Sequence, residues 1–229
     1  MGTKHDQETT DALFAGALAE LETEDTPVPC LIALHGRPTR EVFGRAAGLL
    51  AHDEPEQREL GAMVLRELGS YDAEGRRPFS AETITAVLAG MRTEPDSWVL
   101  SAMVSVLGHH FAREALGTVL ALRMRPEQPV RFAVAAALPA LASAERTEDR
   151  VVDALLGLAE DADAAVRWYA LYALFNETVD IPDERRRDWA AGLARQAGVE
   201  LRAQLRHLAT TLEEPADPVL RELLVRAAG

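Results

Sequence analysis

The stretch VRWYALYALFNE, Val166 to Glu177, decides the fold because it is one of a series. Related stretches read QRELGAMVLRELG from Gln57, VLSAMVSVLGHHF from Val99 and VRFAVAAALPAL from Val130, with a weaker LRAQLRHLATTL from Leu201. The steps between starts are 42, 31, 36 and 35 residues. An acidic or proline-bearing turn precedes each of the first four (DEPE at Asp53, EPDS at Glu94, RPEQ at Arg125, DADA at Asp161), and another apolar helical stretch lies further upstream. A unit of this period, apolar on one helical face, cannot bury that face alone. It does so by stacking on its neighbours, which is the logic of a helix-pair solenoid.

Composition agrees. Hydrophobic residues make up 48% of the 229, led by Ala and Leu, and aromatics only 5%. No stretch alternates strictly over a strand length. Ala lets helices approach closely and Leu fills the seam between them.

Outside the recurring stretches, Asp11 to Leu21 reads as a first helix with Leu13, Phe14, Ala17, Leu18 and Leu21 on one stripe. Thr39 is placed to cap the next helix, and Ser80 a later one. Pro55, Pro95 and Pro126 each suit the opening turn of a helix, and Pro139 is expected to bend or shorten the helix that contains it. Residues 1–10 are expected to be a polar, disordered lead-in, and 11–229 a single repeat domain.

The formal net charge is −13. Residues 1–57 hold 11 acidic against 4 basic side chains, and the rest hold 26 against 20. Such an excess opposes a sequence-independent grip on phosphate, so no nucleic-acid partner is expected; the acidic N-terminus reads first as a solubilising lead-in, and alternatively as a surface that steers a basic protein partner. The single cysteine, Cys30, excludes an internal disulfide and sits in the apolar run PCLIAL, as a small buried hydrophobe would. With no apolar signal core in MGTKHDQETT and no window near 18 uninterrupted apolar residues, a cytoplasmic protein without membrane spans is expected.

The recurring stretches resemble HEAT repeats of the short bacterial kind, also called HEAT-like or PBS-lyase-like repeats. That family's second helix tends to open Asp-x-x-Val-Arg and to close on Leu-Gly. Val130–Arg131 and Val166–Arg167 match the Val-Arg pair, Asp163 the acidic position, and Leu107–Gly108 the Leu-Gly step. Gln57 and Leu100 depart from the pattern, replacing Val and Arg. The resemblance spans about residues 38–212 and extends to uncharacterised actinobacterial HEAT-repeat proteins. It implies an all-α, right-handed α-solenoid of about five to six HEAT-like helix pairs, and it says little about activity.

Three enzyme types share this architecture. Iron-dependent deoxyhypusine hydroxylases use His-Glu dipeptides as ligands, and the chain contains none. Alkylpurine glycosylases use a basic groove with Trp, Asp and Arg; Trp98, Trp168 and Trp189 are present, but the charge balance and the missing local motif oppose that reading. Bilin lyases share only the repeat. Adjacent His109 and His110 point about 100° apart on a helix and make a poor metal pair. His5, His35, His52 and His207 show no ligand spacing, and Glu20, Glu22, Glu24 and Asp25 read as a solvated helix end. No catalytic residue, metal or cofactor is expected.

The best functional signal is aromatic. Trp168, Tyr172 and Phe175 stand at i, i+4 and i+7, and Phe132 occupies the position of Trp168 in the preceding copy. The inward stripe is supplied by Val166, Tyr169, Ala170, Ala173 and Leu174. In a helix-pair solenoid the second helices line the concave side, so these aromatics serve either as anchors for a partner or as packing between neighbouring repeats. His109 is a further candidate on the same kind of surface. Arg131 and Arg167 are expected to pair with turn acids such as Asp163. The expectation is therefore a protein-binding or scaffold module. The alternatives are an enzyme acting on a small molecule or nucleobase in the groove, lyase-like or glycosylase-like, and a structural homo-oligomer.

Overall fold

The structure is a computed structural model and describes residues 8–22, 28–212 and 217–227. Among the described residues there are thirteen α-helices and no strand. They are α1 (Thr10–Glu22), α2 (Pro29–His35), α3 (Arg40–Leu49), α4 (Pro55–Arg66), α5 (Ser80–Met91), α6 (Ser97–His109), α7 (Leu116–Ala121), α8 (Gln128–Leu141), α9 (Asp149–Leu158), α10 (Ala164–Tyr172), α11 (Asp183–Gln196), α12 (Val199–Thr211) and α13 (Pro218–Ala227). The fold is all-α and solenoid-like, and its helices gather in two compact units, Met1–Ala115 and Leu116–Gly229. Within the described residues, no helix is long and apolar enough to cross a membrane.

In the first unit α2, α4 and α6 lie side by side, with α3 and α5 packed on them. In the second, α8, α10 and α12 lie side by side, α7 packs on α8, α9 packs on α8 and α10, and α13 packs against both α11 and α12. Within each unit the recurring stretches are therefore neighbouring helices, α4 and α6 in the first and α8, α10 and α12 in the second. Their buried positions repeat: Val99, Met103, Val106 and Leu107 in α6; Val130, Val134, Ala137, Leu138 and Leu141 in α8; Val166, Ala170, Ala173 and Leu174 in α10 and the turn after it. Gly61 permits a close backbone approach, since a Cβ there would stand 2.6 Å from the Ala46 carbonyl oxygen on α3.

Side-chain carboxylates begin α6 and α10. Asp96 accepts from the amides of Trp98 and Val99, and Asp163 from those of Ala165 and Val166, satisfying donors the first turn leaves open. Thr39 caps α3 as expected, accepting from Val42. Ser80 does not cap α5. The cap is Phe79 in a left-handed conformation (φ 59°), and the Ser80 hydroxyl instead meets Nδ1 of His110. Pro95 and Pro126 stand before their helices rather than in the first turn. Pro139 lies inside α8, which ends two residues later at Leu141.

An arginine near the start of three of these helices clamps each to its surroundings in one geometry. Nη1 of Arg58 donates to the carbonyls of His52 and Asp53, that of Arg131 to Arg125 and Pro126, and that of Arg167 to Asp161 and Ala162, always six and five residues back. The rest of each guanidinium reaches an acid of the following copy: Glu94 for Arg58, Asp161 for Arg131, Glu200 for Arg167. The acid paired with Arg131 is Asp161 and not Asp163, because Asp163 is occupied as the cap of α10. Arg58 makes the same clamp although its copy opens with Gln57.

Candidate functional site

The layer α8–α10–α12 carries a run of rings. Phe132 of α8 meets Tyr169 of α10 edge to face, with centroids 5.3 Å apart and planes at 71°. Tyr169 meets Tyr172 at 6.0 Å and 62°. Trp168 stacks on His207 of α12 at 4.7 Å and 30°. All five side chains are between exposed and buried, except His207, which is exposed. Arg167 fixes the base of α10, as Nε reaches Gln204 Oε1 at 3.4 Å and Nη2 reaches Glu200 at 2.8 Å, both on α12. Partial burial pushes the Tyr169 phenol above its ordinary range, and the Glu177 charge and Tyr172 act in the same direction.

Phe175 does not belong to this surface, which corrects the expectation drawn from its spacing. It is 2% exposed and packs edge to face on Trp189 of α11, at 6.4 Å and 80°. The cause is a π-helical turn over Ala173–Glu177 that follows α10 directly. Such a turn closes i→i+5 hydrogen bonds, so the 3.6-residue register that would align positions 168, 172 and 175 is lost within it. The inward stripe differs likewise: Leu171 is buried, and Tyr169 turns to the ring surface. Trp168 and Phe132, equivalent by repeat, do not meet each other; each finds a different ring on the next helix.

His109 lies in the first unit, half-buried, with Nδ1 3.0 Å from the Ser105 carbonyl one turn back, while its own carbonyl accepts from the Tyr71 hydroxyl. His110 is a core residue: Nε2 lies 2.9 Å from the Leu65 carbonyl and Nδ1 3.0 Å from the Ser80 hydroxyl. Burial lowers its pKa below the ordinary 6.5 despite the Leu65 contact, with Arg77 and His109 adding to the effect. His35 is lowered for the same leading reason and caps the Met63 carbonyl. Glu20, far from being merely solvated, accepts from the amides of Cys30 and Leu31 and so begins α2. Glu24 and Asp25 lie outside the described residues.

Three open grooves run beside the arginine clamps, of about 580 Å³ at Arg58, about 480 Å³ at Arg131 and about 450 Å³ at Arg167. Asp161 borders two of them. Burial would raise its pKa, but the hydrogen bonds from Arg131 and from the Asp163 amide outweigh this and hold it below the ordinary value, which suits a structural carboxylate and not a general base. Among the described residues, no three His, Cys, Asp or Glu side chains converge to hold a metal ion.

Spacing alone missed Tyr169 and His207. Counted from the first residue of each copy, aromatics stand two, three and six positions on in α10 but only two on in α8, so the repeat itself does not single out Tyr169; its i, i+3 spacing to Tyr172 is the available signal.

No family model matches the chain, and no curated protein is significantly similar to it. Among solved structures it is similar to YibA of Escherichia coli, at 10% identity over 100% of this chain and 97% of that one, with a TM-score of 0.50. An engineered protein is 16% identical, covers 98% of this chain and 92% of its own, and has a TM-score of 0.48. At this identity the likeness to YibA concerns the fold alone.

Proposed function

We propose that the chain is a HEAT-like repeat protein that binds another protein through the ring surface of α8, α10 and α12. The observation that carries this reading is the placement of Phe132, Trp168, Tyr169, Tyr172 and His207 along three neighbouring helices of one layer, none of them in the fully buried core. Half-exposed rings that are already ordered by mutual contact lose little conformational freedom on binding and suit interface anchors. The acidic balance opposes a nucleic-acid partner. A reducing, cytoplasmic setting suits a single thiol whose pKa burial and Glu20 raise to about 11, leaving it unreactive.

A photo-crosslinking amino acid in place of Tyr172, compared with one at exposed Gly157 on α9, tests the surface. Cross-links to a second polypeptide in the native cell should arise from position 172 and not from 157. The Trp168→Ala variant should bind that polypeptide more weakly by about 2 kcal/mol or more. Cross-links equal at both positions, or a Trp168→Ala variant that loses stability but not affinity, would reject the docking surface. Cross-links only between copies of this chain would favour a structural homo-oligomer, and turnover of a small molecule lost in groove variants would favour an enzyme.

A further inference from the structure

Each of the three grooves is lined by a clamp arginine and the acid it reaches, so these two charges offset each other and the remaining lining sets the groove's character. At Arg58 the further lining includes Asp53 beside His52, and at Arg167 it includes Glu160 and Asp161. The Arg131 groove instead adds two guanidinium groups, Arg123 and Arg125, against one carboxylate, Asp153. Arg123 uses Nη1 on the Leu120 carbonyl, and among the described residues no carboxylate pairs with it. Arg125 uses Nε and Nη2 on Glu127, which leaves Nη1. The apolar side of the groove is Met124, 78% exposed, with Ala154, Gly157 and Leu158 of α9. The step from Val99 to Val130 is the shortest between copies, 31 residues, and α7 runs for only six before the 3₁₀ turn Leu122–Met124. That turn brings Arg123 and Met124 to the groove, and a Cβ at Gly157 would meet nothing within 4 Å.

We propose that this groove binds a small amphiphilic carboxylate, its head held by Arg123 and Arg125 and its apolar body lying against Met124, Leu158 and the open flank at Gly157. Charge complementarity carries the choice of head: in a chain of net charge −13, this groove alone of the three adds cations to its clamp. Guanidinium donors match a carboxylate in both geometry and charge. Asp153 on the same wall disfavours a more highly charged head such as a phosphate monoester. Exposed ion pairing alone is weak, so the apolar contact is needed as well, and a methionine adapts to bodies of varied shape. The volume of about 480 Å³ is that of a small-molecule site. None of Phe132, Trp168, Tyr169 and Tyr172 lines the groove, so this site stands or falls independently of the docking surface.

The test uses the full chain with ¹³C-labelled methionine methyls, titrated with octanoate, 1-octanol or octylammonium below their aggregation limits and read by NMR. The Met124 methyl signal, assigned through Met124→Leu, should shift saturably with octanoate. Octanol should bind about tenfold more weakly or worse, and octylammonium should leave the signal in place. Arg123→Gln should weaken octanoate about tenfold. Gly157→Leu, whose side chain grows into open space, should abolish the shift while the melting curve shows an intact fold. Arg113→Gln, an exposed change in the first unit, should leave binding unaltered. Equal binding of octanoate and octylammonium overturns the proposal, because the groove is then merely apolar. So does a Met124 signal that octanoate does not shift, or a shift that ignores Arg123→Gln and Gly157→Leu.

Discussion

Arg131 and Asp161 form a two-point contact, Nε to Oδ2 at 2.6 Å and Nη2 to Oδ1 at 2.9 Å, with both side chains largely withdrawn from water. The pair joins α8 to the turn that opens α10, and Arg131 also binds two carbonyls of its own preceding turn. Removing the guanidinium leaves Asp161 buried beside unsatisfied carbonyls. Arg131→Met should therefore destabilise the protein by about 3–5 kcal/mol. Arg226→Ala, which breaks an exposed pair with Glu222, should stay within about 1 kcal/mol. Thermal unfolding of the two variants separates the clamp from ordinary surface pairing, and equal melts would show that the clamp contributes nothing.

Ala137 and Ala173 occupy equivalent buried positions seven residues into their copies. Ala→Leu at either should overpack the seam and cost about 1–3 kcal/mol. Leu138→Ala or Leu174→Ala should cost about 2–5 kcal/mol, through lost burial and the cavity left behind. Chemical denaturation of these four variants reads both effects, and unchanged midpoints would contradict the register.

The π-helical turn makes a contrast between two aromatics three residues apart. Phe175→Ala should cost about 3–5 kcal/mol, because the ring is enclosed against Trp189. Tyr172→Leu should stay below about 1.5 kcal/mol, since the site is half-exposed and most of the volume is retained. If Tyr172→Leu proves as costly as Phe175→Ala, the ring surface is packing.

Stability should also depend on pH near neutrality. His35 and His110 are held neutral in the fold, chiefly by burial, with pKa values below 6.5. The unfolded chain takes up protons near 6.5, so their contribution is fully present above that pH and is lost as pH falls below it. The melting temperature should drop between pH 7.5 and 5.5, and His110→Gln should flatten that slope. Asp161 acts in a separate window: its lowered pKa contributes stability above 3.8 that is lost as pH falls through the lowered value. A slope near pH 6 that His110→Gln leaves unchanged would assign the effect to other groups.

The helical class, the repeat period and the buried alanines and leucines of α8 and α10 were legible in the chain, because burying one stripe of a helix imposes a 3.6-residue pattern on composition itself. The structural role of Arg131 and Arg167 was legible for the same reason: it recurs. Their partners were not, since Asp161 and Asp163 are both acids of one turn, and only the backbone path decides which caps α10 and which meets Arg131. Spacing placed Phe175 on the ring surface, where an unbroken α-helix would have kept it. The turn over Ala173–Glu177 closes its hydrogen bonds one residue further along and sends the ring into the core against Trp189. Tyr169 met Phe132 through packing between helices about one repeat apart in sequence, a relationship no local periodicity encodes, whereas its contact with Tyr172 lies three residues along the same helix.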